Sequence, residues 1–146
     1  MIRTALSAAP SALKAALKVA LVAAALGTAA LAAPAHAGGS IGITVTPTNA
    51  NEAQAMRAGL AIYSIVNGFN GGSGINQIGT GNAGGLAQNG SGNLGVVHQQ
   101  GSDHNGTLTQ NGNGNAHGLF QFGRNTSGHV AQNGNGGTGA TFVFGW

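Results

Sequence analysis

The sequence of 146 residues has little charge and no cysteine, with 5 Lys and Arg residues and 2 Asp and Glu residues. The missing cysteines exclude a disulfide framework and thiolate metal sites. The two acidic side chains, Glu52 and Asp103, lie in unlike contexts. This argues against the placed carboxylate pair that a hydrolase needs. We therefore predict neither an enzyme nor a cofactor.

Residues 1–37 have the pattern of a secretory signal peptide. Basic residues precede an apolar run from Val19 to Ala33, and the small-x-small triplet Ala35–Ala37 lies just before Gly38. Such a triplet is typical of a cleavage site. The apolar run is shorter than the roughly 18 residues that a membrane span usually needs. We expect cleavage and secretion rather than stable membrane insertion.

Beyond residue 37 the charges balance, because Arg57 and Arg124 match Glu52 and Asp103. The high sequence pI of 10.3 therefore belongs to the leader. No basic surface remains to favour nucleic acid as a partner. The remaining residues are mostly Gly, Asn, Gln, Ala, Ser and Thr, a composition that alone would suggest a disordered, prion-like segment.

A strict repeat argues for order instead. Gln recurs at an interval of 11 residues, with an aliphatic residue two positions before it and Gly two positions after it. The Gln residues are Gln77, Gln88, Gln99, Gln110, Gln121 and Gln132, the aliphatic residues are Ile75, Leu86, Val97, Leu108, Leu119 and Val130, and the glycines are Gly79, Gly90, Gly101, Gly112, Gly123 and Gly134. Val66 and Val143 take the next Gln positions at the two ends. A fixed period is the mark of a repeat architecture.

Each 11-residue unit predicts a short strand followed by a tight turn. The aliphatic residue and the Gln are two apart and face the same side of a strand, and the Gly and Asn residues after them suit sharp turns. The glycines exclude a helical coiled coil of this period. Two units form a 22-residue rung, and rungs stack at about 4.8 Å. The prediction is an all-β fold, a β-solenoid of cross-β type with about seven to eight short strands.

Stacking of residue i on residue i+22 gives two predicted Gln ladders, one of Gln77, Gln99 and Gln121 and one of Gln88, Gln110 and Gln132. A primary amide has both donors and an acceptor, so each Gln can bond to the copies above and below it. We expect Asn82, Asn93 and Asn115 to do the same at the turns. The outward positions after each Gln are mixed, which disfavours a monomeric solenoid with a flat ice-binding or adhesive face. These positions are Ile78, Asn89, Gln100, Asn111, Phe122 and Asn133.

The histidines and aromatic residues give no separate site. The four histidines beyond the leader occupy different repeat positions, so no column gathers the ligands of a metal site. They are His98, His104, His117 and His129. The aromatic residues near the C-terminus are expected to be half-exposed, with too little positive charge for a nucleic-acid platform. They are Phe120, Phe122, Phe142, Phe144 and Trp146.

The units 77–88 and 110–121 resemble the curlin repeat, Gln-x-Gly-x-Gly-Asn-x-Ala-x-x-x-Gln, of bacterial curli fibre subunits. The resemblance covers Ile75 to about Gly145. Two columns depart from the repeat: its Ala is replaced by Gly84, Gly95, Gly106, His117 and Gly128, and its Asn by His104, Thr126 and Gly137. The resemblance implies a secreted amyloid subunit that polymerises at the cell surface into biofilm matrix and serves adhesion.

As partners the resemblance implies further copies of the chain, a nucleator subunit and an outer-membrane secretion pore. Basic residues are scarce in the repeats, where only Arg124 occurs, which favours the major subunit. The minor nucleator and a monomeric β-solenoid surface or ice-binding protein stay as alternatives. Asp103 and His104 replace Gly and Asn in one turn, and by resemblance such residues slow assembly.

Residues 38–74 are less regular. Ile41, Ile43 and Val45 alternate, which predicts a short extended stretch. Asn49 followed by Glu52 resembles a helix start, and Met56, Leu60 and Tyr63 have helical spacing, but Gly59 argues against a long helix. Ile62 to Asn67 is β-rich and in phase with the repeat, so we predict a degenerate first strand there. By resemblance this segment is an export signal, although no motif match supports it.

Overall fold

The computed structural model describes residues 38–69 and 72–146, so the predicted signal peptide lies outside the described residues. Within these ranges the chain forms eight strands and one helix. They are β1 Ser40–Val45, α1 Ala50–Val66, β2 Gly74–Thr80, β3 Ala83–Asn89, β4 Leu94–Ser102, β5 Asn105–Asn111, β6 Ala116–Arg124, β7 Ser127–Asn133 and β8 Thr138–Gly145.

The strands form a β-solenoid, as predicted. Strands β2 to β8 alternate between two sheets: sheet A has the order β1-β8-β6-β4-β2 and sheet B the order β3-β5-β7. The repeat strands pair in parallel, and each residue lies on the residue 22 positions later, such as Gln77 on Gln99 and Leu86 on Leu108. The predicted two-strand rung of 22 residues is confirmed. Strand β1 differs, because it pairs antiparallel with β8.

The core is the thin layer between the two sheets. Val97, Leu108 and Leu119 are fully buried there, together with Val143. The outer members of the aliphatic column are less covered, and Ile75 in the first rung is 37% exposed. A rung therefore buries its apolar side chains only when it has a rung on each side.

The glycines of the repeat occupy the turns in a conformation that L-residues avoid. The six glycines after the Gln positions have φ between 89° and 131°. A Cβ atom on Gly101 would overlap the carbonyl oxygen of Gly123 in the next rung, and one on Gly112 would overlap that of Gly134. The turn glycines are therefore required both by backbone conformation and by the close stacking of the turns.

The helix α1 corrects two predictions for residues 38–74. Its start is as predicted, since the side chain of Asn49 accepts a hydrogen bond from the backbone N–H of Glu52. However, the helix continues through Gly59 to Val66, so the expected short helix and the degenerate first strand at Ile62 to Asn67 are both wrong. A glycine costs about 1 kcal/mol in a helix, and packing of Leu60 on sheet A offsets this.

Because Val66 is helical, it does not occupy a Gln position of the solenoid. Val143 does, since it lies directly on Gln121. The extended stretch predicted at Ile41, Ile43 and Val45 is confirmed as β1. The solenoid thus has a helix on the outer face of sheet A and an added strand at one end.

Candidate functional site

The two predicted Gln ladders are present with hydrogen-bonding geometry. Gln77 donates from Nε2 to Oε1 of Gln99 at 2.7 Å, and Gln99 donates to Gln121 at 2.8 Å. In the second ladder Gln88 donates to Gln110 at 2.7 Å, and Gln110 donates to Gln132 at 2.8 Å. Each ladder therefore has a direction, with the lower-numbered residue as the donor.

The central Gln residues use their second N–H to join the two sheets. Gln99 donates to the carbonyl oxygen of Ala83 at 2.8 Å, and Gln110 donates to that of Leu94 at 3.2 Å. Gln99, Gln110 and Gln121 have no solvent exposure. A buried amide with its donors and acceptor paired avoids the free-energy cost of an unmade hydrogen bond.

The predicted Asn amide ladder is wrong in its partners. Asn93 accepts from the backbone N–H of Asn115 at 2.9 Å and donates to the carbonyl oxygen of Gly112 at 2.8 Å. Asn82 and Asn115 make the same kind of contacts with the next turn. Asn is shorter than Gln, so its amide reaches the backbone groups of the adjacent turn rather than the next side chain. These Asn residues tie each turn to its neighbour.

His104 occupies the Asn column without leaving a void. Its side chain is buried, and its Nδ1 lies 2.7 Å from Oγ1 of Thr126. Asp103 is exposed and has φ of 59°, a left-handed conformation otherwise held by Gly81 in the rung below. The predicted effect of Asp103 and His104 on assembly stays a prediction.

The outward residues that look mixed along the sequence separate onto two different faces. Sheet A carries stacked aromatic pairs, with ring centroids 5.1 Å apart for Phe120 and Phe142 and 5.4 Å apart for Phe122 and Phe144. Sheet B carries an exposed amide column, where Asn111 donates to Asn133 at 3.0 Å. Each face is regular, because units alternate between the sheets.

The helix α1 covers part of the aromatic face through contacts that the sequence did not predict. Tyr63 packs edge-on against Phe120, and its hydroxyl group lies 2.6 Å from Nδ1 of His98. Arg57 donates to the carbonyl oxygens of Gly92 and Gly114 at 2.7 and 2.5 Å. The helical spacing of Met56, Leu60 and Tyr63 was the signal that could have placed this face on the solenoid.

Two histidines are perturbed by their surroundings. Burial lowers the pKa of His98, and burial lowers the pKa of His117 to about 4. Nε2 of His117 lies 3.0 Å from Oγ1 of Thr141, whereas its buried Nδ1 has no hydrogen-bond partner among the described residues. Within those same residues, no group of three or more metal-ligating side chains comes together.

No protein-family model matches the chain, and comparison with curated proteins and with solved structures gives no match either. In the part of the chain that the structure describes, no helix has the length and apolar character needed to cross a membrane.

Proposed function

We propose that the chain is a secreted structural subunit that self-assembles into extracellular, curli-like amyloid fibres at the cell surface. In this role it would contribute to biofilm matrix and adhesion after passing through the periplasm. The observation that carries the proposal is the pair of Gln ladders, which run along the stacking direction. A ladder of this kind gains a hydrogen bond with each copy added.

The first rung supports the proposal, because it is unfinished. Strands β2 and β3 are edge strands of sheets A and B at the same end of the solenoid. Gln77 and Gln88 are exposed there, and Ile75 and Ile78 are 37% and 50% exposed. An edge with apolar side chains and backbone hydrogen-bonding groups is a template for another chain.

The finer assignments follow from the resemblance to curlin repeats. They are the major rather than the nucleator subunit, and a nucleator and an outer-membrane pore as partners. One observation favours a second candidate, a monomeric β-solenoid surface protein: β1 covers the edge of β8 at the other end. Covered ends keep solenoid proteins soluble.

Assembly of the purified chain without residues 1–37 distinguishes the two candidates. For a fibre subunit we expect thioflavin fluorescence that rises after a lag, a shorter lag on addition of preformed fibres, and a fibre-diffraction spacing of about 4.7–4.8 Å. A concentration-independent monomer in sedimentation experiments, with no fluorescence increase, would favour the surface protein. Fibres lost from cells on deletion of the gene, with no secreted unassembled subunit, would indicate the major subunit.

A further inference from the structure

The two ends of the solenoid differ in how the strand ladder stops. At one end β2 and β3 are edge strands. At the other end β1 lies along β8, with six residue pairs from Ser40 on Gly145 to Val45 on Ala140. This pairing is antiparallel in a sheet that is otherwise parallel, so β1 is an addition to the repeat and not part of it.

The two faces of β1 have the composition of a cap. Ile41, Ile43 and Val45 lie opposite Phe144, Phe142 and Ala140 and extend the apolar outer face of sheet A. The core side carries Ser40, Gly42 and Thr44 instead, and all three are exposed.

The interior columns stop at this end. The Gln column passes through Val143 to Gly42, and the aliphatic column passes through Thr141 to Thr44. Oγ1 of Thr44 lies 3.0 Å from Oγ1 of Thr141. The core therefore ends in small and polar side chains that water can cover.

This cap is held less firmly than the strands below it. Four of its six residues are exposed, whereas the first four residues of β6 are buried. A strand with few buried side chains opens at a lower free energy than the core of the same fold. Its removal would leave the edge of β8 free to pair.

We propose that β1 is a displaceable cap and that β8, once uncovered, pairs with β2 of a second copy of this chain. The occupant is a second copy because β2 carries the residues that continue the columns. With the 22-residue register, Gln77 of the second copy lies on Val143, Ile75 on Thr141 and Ile78 on Phe144. This inference rests on the proposed function and states which step limits it.

The released strand has a position to occupy in sheet B. The repeat strands number four in sheet A and three in sheet B, where β7 is the edge strand. A cavity of about 450 Å³ lies beside that edge, lined by His117, Val130, Gln132 and Thr141 among others. Because β7 and β8 are joined by a tight turn, β7 runs opposite to β8. Strand β1 also runs opposite to β8, so it already has the direction of a parallel partner for β7.

A reversible lock tests the proposal. Thr44 and Thr141 are directly opposed, and opposed Cα atoms in antiparallel strands lie about 4.5 or 5.5 Å apart, within the range of a disulfide. The variant Thr44→Cys with Thr141→Cys fixes β1 to β8 when oxidised and frees it when reduced. The natural chain has no cysteine, so the reductant by itself serves as a control on the wild-type chain.

Every junction between copies needs one uncovered β8, so we expect seeded elongation of the oxidised variant to be slower than that of the reduced variant by at least about tenfold. Oxidised chains can still add through β2 and then accept no further copy. They should therefore shorten wild-type fibres when added at about one part in ten. The single variant Thr44→Cys should elongate equally in both redox conditions.

A second pair of variants covers the case in which the disulfide disturbs folding. Ile43→Ser loosens β1 and should shorten the lag at least about twofold, because Ile43 is a buried anchor of an edge strand. Ile62→Ser is the matched control, since Ile62 is 63% exposed on α1. Equal elongation of locked and released chains, with no effect of Ile43→Ser, would overturn the cap alone. If the wild-type chain formed no fibres, the proposed function would fail, and this role of β1 with it.

Discussion

The two sheets of the solenoid share their inner faces and differ on their outer faces. Gln99 in sheet A and Gln110 in sheet B are both fully buried and bonded in ladders. On the outside, sheet A has stacked Phe rings beneath a helix, whereas sheet B has an exposed Asn column. The 11-residue period therefore sets the interior of both sheets, and a 22-residue period sets what each sheet contacts.

This difference gives the two sheets separate roles. Sheet A takes up α1 and β1, so its outer face is largely committed within one chain. Sheet B presents side chains that bond along the stacking direction, such as Asn111 to Asn133. If the inner faces are equivalent, inward substitutions should act alike in both sheets, and outward substitutions should not.

The largest effect is expected from turn glycines between stacked rungs. Gly101→Ala and Gly112→Ala each place a Cβ atom on a carbonyl oxygen of the next turn, in a backbone with φ of 131° and 115°. We expect both variants to lose more than about 4 kcal/mol of unfolding free energy, or to fail to fold. Denaturant unfolding followed by circular dichroism measures this loss.

Gly134→Ala is the control, because φ is 109° there but no atom of the described chain lies within 4 Å of the added Cβ. Its expected loss is about 1–2 kcal/mol from backbone conformation alone. Similar losses at Gly112 and Gly134 would show that stacking of the turns contributes little.

The next effect sharpens the contrast between inner and outer faces. Gln110→Ala removes the middle of a buried ladder and leaves the amides of Gln88 and Gln132 without their partner. Unmade buried hydrogen bonds cost roughly 1–3 kcal/mol each, so we expect a loss of about 3–5 kcal/mol. Gln121→Ala in sheet A should act alike.

Asn111→Ala is the matched control, since Asn111 is exposed beside Gln110. Its expected change is within about 0.5–1 kcal/mol. Seeded elongation should slow in the order Gln110→Ala, Gln77→Ala, Asn111→Ala, because Gln77 lies in the open first rung. Equal rates for Gln110→Ala and Asn111→Ala would contradict the role of the ladder in assembly.

His117 makes the inner faces differ with pH. Burial lowers its pKa to about 4, whereas an unfolded His has a pKa of about 6.5. The unfolded chain then binds more protons below pH 6.5, so stability falls as the pH drops from 6.5 to 4 and does not fall further below that value. The loss is on the order of 3 kcal/mol.

Unfolding titrations between pH 7.5 and 4 test this expectation. His117→Ala, which restores the residue of the curlin repeat, should flatten the dependence. His129→Ala should retain it, because His129 is exposed on sheet B. A wild-type chain whose stability is constant over this range would refute the buried, neutral state of His117.

The outer faces should respond unequally to truncation. Phe120→Ala removes the ring that touches Tyr63 and stacks on Phe142, and we expect a loss of about 2–3 kcal/mol for this half-buried side chain. Thr109→Ala on the outer face of sheet B should change stability by less than about 0.5 kcal/mol. Loss of Tyr63 fluorescence anisotropy in Phe120→Ala would separate release of α1 from general unfolding.

The repeat was predictable because its signal is local and recurs. Gln at a constant interval, with Gly two residues later, determines strand, turn and register together, and the structure confirms all three. The helix was underestimated because Gly59, Ile62 and Val66 suggest a break and a strand. Its length is decided by contacts far away in sequence, such as Arg57 with the carbonyl oxygens of Gly92 and Gly114.

The pairing of β1 with β8 has no periodic signal at all. It joins Thr44 to Thr141 across most of the described chain, and only the alternation of Ile41, Ile43 and Val45 suggested a strand. The Asn partners were missed for a different reason. Side-chain length decides whether an amide reaches another amide or a backbone group, and the repeat spacing does not contain that information.

The smallest expected effect concerns the turn at Asp103, where charge and backbone conformation act together. Asp103 has φ of 59°, and a left-handed conformation costs a non-glycine residue about 1–2 kcal/mol. Asp103→Gly removes both the strain and the acid, and should add about 1 kcal/mol of stability and shorten the lag. Asp103→Asn removes the charge alone, since Asn tolerates this conformation better. Asn125→Gly is the control for backbone relief without a change of charge, because Asn125 has φ of 53° in the next rung. If charge repulsion between stacked copies slows assembly, Asp103→Asn should shorten the lag as much as Asp103→Gly, while Asn125→Gly changes stability only. A lag that is unchanged or longer in both Asp103 variants would refute a braking role for this turn.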